Sequence, residues 1–180
     1  MERLVLDDDA PLYGMAQTIG LGPIPEEEMV KFLQRRARWA GKPMGEEAAR
    51  LVLEWAGPVP NDVQHLAFEA FEVGGDAVDQ AAIAEGMRRA VDHESALFAA
   101  QTGRLAGGQL RVLMELAAHP DRQVFSSGFA RDAGLASGQS VKKAIDALAE
   151  DETLVRRGDR WVVGNPFLAA WLREAAEPRP

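Results

Sequence analysis

The 180-residue chain has no cysteine and a single tyrosine. Without cysteine there are no disulfides, thiolate metal sites or thiol nucleophiles, and the composition suits a reducing interior. No apolar stretch approaches the ~20 residues that span a bilayer, so no membrane partner is expected. The start, "MERLVLDDD", lacks a basic-then-apolar pattern, so export by a standard signal is not expected and the predicted location is cytoplasmic. A Walker A loop, Gly-x-x-x-x-Gly-Lys-Ser/Thr, is also missing. In such a loop, backbone N–H groups wrap the phosphates and the lysine neutralises them. Gly41-Lys42 is followed by Pro43, and the glycine pairs at 74–75 and 107–108 have no adjacent Lys-Ser/Thr. Tight binding of a nucleoside triphosphate by this chain is therefore not expected.

What is present is 47% hydrophobic and 27% charged, a composition for folded protein rather than disorder. The length allows one ordinary domain or two small ones. The net charge of −8 is uneven. Residues 1–103 hold nine Lys/Arg against eighteen Asp/Glu, and residues 104–180 hold eleven against ten. Only the second part is suited to approach a polyphosphate backbone.

Residues 1–24 read as a short strand and a Gly/Pro-rich connector. The apolar residues 4–6 meet Asp7, Asp8 and Asp9, which raises a metal-holding strand end as one reading and a polar turn as the other. Pro25 and "EEE" open a first helix, where acids complement the helix dipole. Met29, Phe32, Leu33 and Arg36 follow its helical spacing, and it is expected to end near residues 40–43. A second helix carries Ala48, Leu51, Val52 and Trp55 at i, i+3, i+4, i+7. A third runs over about 61–73 with Asn61 as cap and Val63, Leu66, Ala67 and Phe71 inward. A fourth begins near Val78 or Asp79, with Ile83, Met87, Ala90 and Val91 inward, and extends through Leu97 and Phe98. Four amphipathic helices with short turns predict a bundle over 25–102.

"GRLAGG" at 103–108 is the expected hinge. Beyond it come a helix with Leu110, Leu113 and Leu116 inward, a short helix, and a third helix with Val141, Ile145 and Leu148 inward. Two strands follow around a Gly-Asp turn, then a last helix capped by Asn165 with Pro166 first and Phe167, Leu168 and Trp171 as its apolar face. Helix, short helix, turn, helix, hairpin is the order of a winged helix-turn-helix domain, placed at 103–176 with a frayed tail at 177–180. The fold class is thus mainly α: a four-helix bundle, then a winged helix with a small β-hairpin.

The winged helix supplies the candidate contact residues. The helix over 137–149 would offer Ser137, Gln139, Ser140, Lys142 and Lys143, with Asp146, to a major groove. Arg156, Arg157 and Arg160 would flank phosphates from the wing. Asp146, Glu150, Asp151, Glu152 and Asp159 interrupt those cations, so a protein target stands beside nucleic acid. His65, His93 and His119 are far apart in sequence and read as surface or capping residues, and "HESA" at 93–96 lacks a zinc protease's second histidine. Glu26, Glu27, Glu28, Glu46 and Glu47 sit at helix starts, where dipole complementarity explains them. Arg35, Arg36 and Arg38 form a basic cluster read as a solvated face or as a phosphate or partner contact. No catalytic or metal-binding set emerges.

In order, "PLYG", I-x-L-x-P-I at 19–24, "EEEMVKFL", "GPVPNDVQHLAFEAF" and "VVGNPFLAAWL" resemble the C-terminal half of the prokaryotic AAA+ ATPases allied to the STAND class. Ala10-Pro11-Leu12-Tyr13-Gly14 is similar to that family's segment after the sensor strand. Gly57, Pro60, Gln64 and Leu66 are similar to its lid helix, and Asn165-Pro166-Phe167 to its phrase near the end of the winged helix. The resemblance implies that 1–24 are the edge of a nucleotide domain and 25–102 a helical lid. It implies a non-catalytic regulatory module that couples the nucleotide state of a core to a winged-helix surface for DNA or protein. ATP and Mg are implied only for an intact parent, whose core is the implied partner, and no cofactor for this chain. In this pattern Asp7, Asp8 and Asp9 become a polar turn. Residues 61–71 depart from the family in having no Lys or Arg where many lids place a sensor arginine. The residues alone leave a second reading: a free-standing winged-helix transcription regulator whose bundle dimerises or senses a ligand.

Overall fold

A computed structural model of the chain describes residues 22 and 24–176. The strand expected near residue 4, the turn at Asp7, Asp8 and Asp9, and the tail at 177–180 lie outside them. The first four elements are helices: α1 (Glu26–Trp39), α2 (Glu46–Ala56), α3 (Pro60–Val73) and α4 (Gln80–Thr102). Three further helices follow, α5 (Gly107–Ala118), α6 (Ser127–Asp132) and α7 (Gly138–Glu150). A hairpin of β1 (Leu154–Arg157) and β2 (Arg160–Val163) precedes α8 (Pro166–Ala176). The protein is mainly α, with one two-stranded antiparallel sheet among the described residues.

Local chemistry sets most of the boundaries. Asp79 caps α4, its carboxylate accepting from Ala82 N–H at 2.8 Å. Ser137 caps α7 by accepting from Ser140 N–H at 3.2 Å. Asn165 Oδ1 accepts from Phe167 and Leu168 N–H at 2.8 and 3.0 Å, satisfying two donors at the start of α8. The expected cap at Asn61 is not used. α3 starts one residue earlier, with Val59 at the cap position and Pro60, whose φ suits a first turn, inside the helix.

The bundle's buried faces include much of the predicted stripes, among them Leu33, Val52, Leu66 and Ile83, but are turned in part from them. α2 buries Ala49, Val52 and Ala56, while Leu51 and Trp55 are half-buried at the flank. α3 buries Val63, Leu66 and Ala70, with Phe71 at the edge. α1 buries Val30 and Ala37 beside Met29 and Leu33, and leaves Arg36 exposed. The reason is close helix approach, which needs small residues along the contact line and moves the large ones to its margins. The extreme case is Gly86 of α4: a Cβ there would lie 2.5 Å from Ala70 N and 2.8 Å from Ala70 Cα in α3.

Lys42 closes the C-terminal end of α3. Its Nζ donates to Phe71 O at 2.7 Å and to Gly74 O at 2.8 Å, and lies 4.7 Å from the centre of the Phe71 ring. A cation at exposed helix carbonyls is favoured by the dipole.

In the second part, Leu113, Leu116, Phe129, Val141, Ile145, Leu148 and Leu154 are fully buried. Each such side chain contributes about 1.5–3 kcal/mol of transfer free energy. Leu110 is only half-buried. α8 packs against α5 and β2 and also against α4 and α2. Its Phe167 ring tilts against His65 of α3 at 4.6 Å, and Trp171 meets Phe98 of α4 at 6.2 Å.

Candidate nucleic-acid interface

α7 is two-faced. Val141, Ala144, Ile145 and Leu148 are buried against α5, α6 and β1. That leaves the opposite face outward by helical period alone. Ser137, Gln139, Ser140, Lys142, Lys143 and Asp146 line one shallow surface depression there. All five predicted contact residues on this helix are therefore brought together.

Their availability differs. Ser137 and Ser140 are engaged with each other, the hydroxyls 3.2 Å apart. Lys142 Nζ donates to Asp146 Oδ2 at 2.6 Å, an exposed i,i+4 pair worth about 0.5 kcal/mol or less. Among the described residues no carboxylate pairs with Lys143.

The three wing arginines separate. β1 and β2 pair in the register Arg156↔Trp161 and Arg157↔Arg160 around Gly158, whose φ of 63° suits the turn. Like charges directly opposite one another repel. The guanidinium groups diverge: Arg160 pairs with Asp121 in the segment after α5, while Arg157 lies over Gly57 at the end of α2. Arg156 donates from Nε to Gly158 O at 3.2 Å and has no carboxylate partner among the described residues. Lys143 and Arg156 are thus the two predicted cations least committed within the chain.

The neighbourhood of Arg157 connects wing and bundle. Burial pushes the Asp62 carboxyl in the first turn of α3 above the ordinary aspartate value, against the opposing pull of Asn61, Arg157 and His65. The charges acting on this helix start are thus Arg157 of the wing and His65 of α3, which has no Lys or Arg of its own. Gly107 and Gly108 lie in the first turn of α5, where Ala106 N–H donates to the Gln109 side chain at 2.8 Å.

A second polar cluster was not legible in the spacing of the histidines. Glu69, buried on α3, is approached by His65 at 3.9 Å, by His93 at 3.4 Å and by Arg89 at 3.4 Å. Glu94 stands 3.5 Å from the other nitrogen of His65. The i,i+4 spacing of His65 and Glu69 was the available signal. His93 and Arg89 arrive only through the packing of α3 on α4. Among the described residues no group of His, Asp and Glu is arranged to hold a metal ion.

The order and packing of α5, α6, α7 and the β1–β2 hairpin are those of a winged helix domain, and residues 96–174 match the family model described as a probable winged helix domain. No curated protein matches the sequence. Among solved structures the chain is similar to the Walker-type ATPase PABY2304 of Pyrococcus abyssi, with a TM-score of 0.64 and 18% sequence identity. The likeness covers 93% of this chain and 47% of that one. It is a likeness of fold, and the chain spans about half the length of that ATPase. No helix among the described residues is long and apolar enough to cross a membrane.

Proposed function

We propose that this chain is the lid and winged-helix region of an AAA+/STAND-like ATPase. It carries no catalysis itself and transmits the nucleotide state of a separate core to a contact surface on the winged helix, in the cytoplasm. The observation that carries the reading is the joint likeness: bundle and winged helix together, over 93% of the chain, follow the fold of a Walker-type ATPase. The packing supports it. α8 bridges the two parts, and Arg157 reaches from the wing to the end of α2, so movement of the bundle is mechanically linked to the wing.

DNA is the target to test first, through Lys143 and Arg156. Binding of labelled duplex DNA is measured at increasing salt. The proposal expects affinity that falls with salt, and a flatter slope after Lys143→Ala and Arg156→Ala. A specific observation favours a protein target as the second reading: Lys142 and Arg160 are neutralised within the chain. Absence of duplex binding at low salt selects that reading. For the coupling itself, the chain is titrated with a Walker-type core encoded upstream in the same frame. Absence of such a core sinks the ATPase assignment and leaves the free-standing regulator.

A further inference from the structure

His65 stands where the two halves of the chain meet. It belongs to α3 of the bundle, and its ring lies 4.6 Å from that of Phe167, the second residue of α8. Each ring nitrogen of His65 faces a carboxylate. Nε2 is 3.9 Å from Glu69 Oε1, and Nδ1 is 3.5 Å from Glu94 Oε1. A neutral imidazole has one N–H and one lone pair, so in either tautomer one nitrogen turns its lone pair towards a carboxylate. The imidazolium has two N–H groups and points one at each. The His65 side chain is 29% exposed and Glu69 is buried, so water screens these contacts only in part.

The other charged groups come from every element around this place. From α3, Asp62 interacts with His65 and with Arg157 of the wing. From α4, Arg89 Nε lies 3.4 Å from Glu69 Oε2, and His93 Nδ1 lies 3.4 Å from Glu69 Oε1. His93 is 57% exposed and shares Glu69, whereas His65 meets a carboxylate at both nitrogens and touches α8. On α2, Arg50 is taken by Glu26, Glu27 and Glu46, and Glu47 and Glu54 are exposed. On α8, Arg173 and Glu174 lie nearly two turns beyond Phe167, and Glu174 acts on Arg88.

We propose that His65 is a pH-sensitive latch between the bundle and the winged-helix half. Protonated, it ties α3 to α4 beneath the Phe167 end of α8; neutral, it releases that end. Histidine is the side chain whose ordinary charge change falls between about pH 5 and 8. A cation within about 6 Å of an aromatic ring centre is attracted by its quadrupole. Loss of the proton therefore weakens the Phe167 contact together with both carboxylate contacts. The held form is the protonated one, so its contribution is present at low pH and is lost as pH rises. The latch lies in the packing of α3, α4 and α8 and acts whatever the winged helix binds.

The test uses the full chain, whose lack of cysteine allows spin labels at two introduced ones, Arg35→Cys on α1 and Asp159→Cys on the wing, both at exposed positions. The distance distribution between the labels is expected to be narrow at about pH 5.5 and about twice as broad at about pH 8.5. His65→Gln should give one distribution at both pH values, while His93→Gln should keep the response. Between about pH 6 and 8, Tm of the parent chain should fall by about 2–4 °C more than that of His65→Gln. Glu94→Gln keeps the imidazole and removes one of its two carboxylates, so it should roughly halve that fall. A parent distribution that ignores pH, or a response that survives His65→Gln, would overturn the latch. Should His65→Gln fail to fold, Glu94→Gln decides: an undiminished response in that variant sinks it.

Discussion

The Arg157 guanidinium rests against the bare backbone of Gly57, where a Cβ would fall 2.6 Å from Nη1 and 2.9 Å from Nη2. Gly57 also has φ 74° and ψ −164°, a conformation essentially confined to glycine. Gly57→Ala is expected to cost about 2–3 kcal/mol in urea unfolding, from backbone strain and displacement of Arg157. In the double variant with Arg157→Ala, the steric part should vanish and the backbone part remain, giving a nonzero coupling energy. Strict additivity would show that the contact carries no energy.

Gly86 carries a harder constraint. The atoms a Cβ would meet are Ala70 backbone, which cannot turn aside as a side chain can. Gly86→Ala should force α3 and α4 apart and destabilise by about 1–3 kcal/mol despite alanine's better helix propensity. Gly138→Ala is the control. Nothing lies within 4 Å of its Cβ site, so stability should hold or rise slightly. A neutral Gly86→Ala in chemical denaturation would contradict the close approach described here.

The cluster around Glu69 predicts an asymmetry. The Glu69 side chain is 7% exposed and its Oε2 accepts no hydrogen bond, whereas Arg89 is 38% exposed. Removing Arg89 strands a buried carboxylate, while removing the Glu69 charge leaves a guanidinium that water can reach. Arg89→Met should therefore destabilise by about 2–3 kcal/mol and Glu69→Gln by about 1 kcal/mol or less. The reverse order in thermal or urea unfolding would count against this account.

Two carboxylates should respond to acid with opposite signs. The Arg122 hydrogen bond, joined by Arg131, holds Asp132 below the ordinary aspartate value. Stability from that pair is present above the unfolded value and lost as pH falls through the lower folded one. Asp132→Asn should thus lower Tm near neutral pH, and the deficit should shrink as pH falls below the ordinary aspartate value. Asp62, raised by burial, binds its proton more tightly in the folded state, so its contribution declines as pH rises through the window above the unfolded value. Asp62→Asn should raise Tm near neutral pH, with the gain shrinking in acid. Differential scanning calorimetry of both variants across this range checks the two signs.

Much of this protein could be read along the chain because its signals are local. Asp79, Ser137 and Asn165 act as caps through hydrogen bonds within three residues, and Gly158 makes a turn through its own φ. The element order that defines the winged helix follows from such signals, as does the outward row of Ser137, Gln139, Ser140, Lys142 and Lys143, which needs only helical period. Other features depend on residues far apart in sequence. The predicted Met29, Leu33, Val52, Val63 and Leu66 are buried, but size also suggested Trp55 and Phe71, whereas helix approach selected Ala56, Ala70 and, on α4, Gly86. His65 and His93 looked unrelated until α3 packed on α4 and set both against Glu69. The wing arginines looked equivalent, yet Arg160 pairs with Asp121 and Arg157 with the end of α2. By itself the sequence determined the helices, the cap at Asn165 and the winged-helix order, because backbone hydrogen bonding and periodicity act over a few residues. Tertiary structure alone decided which side chains meet and which cations stay free, because long-range packing and charge pairing answer to distance in space.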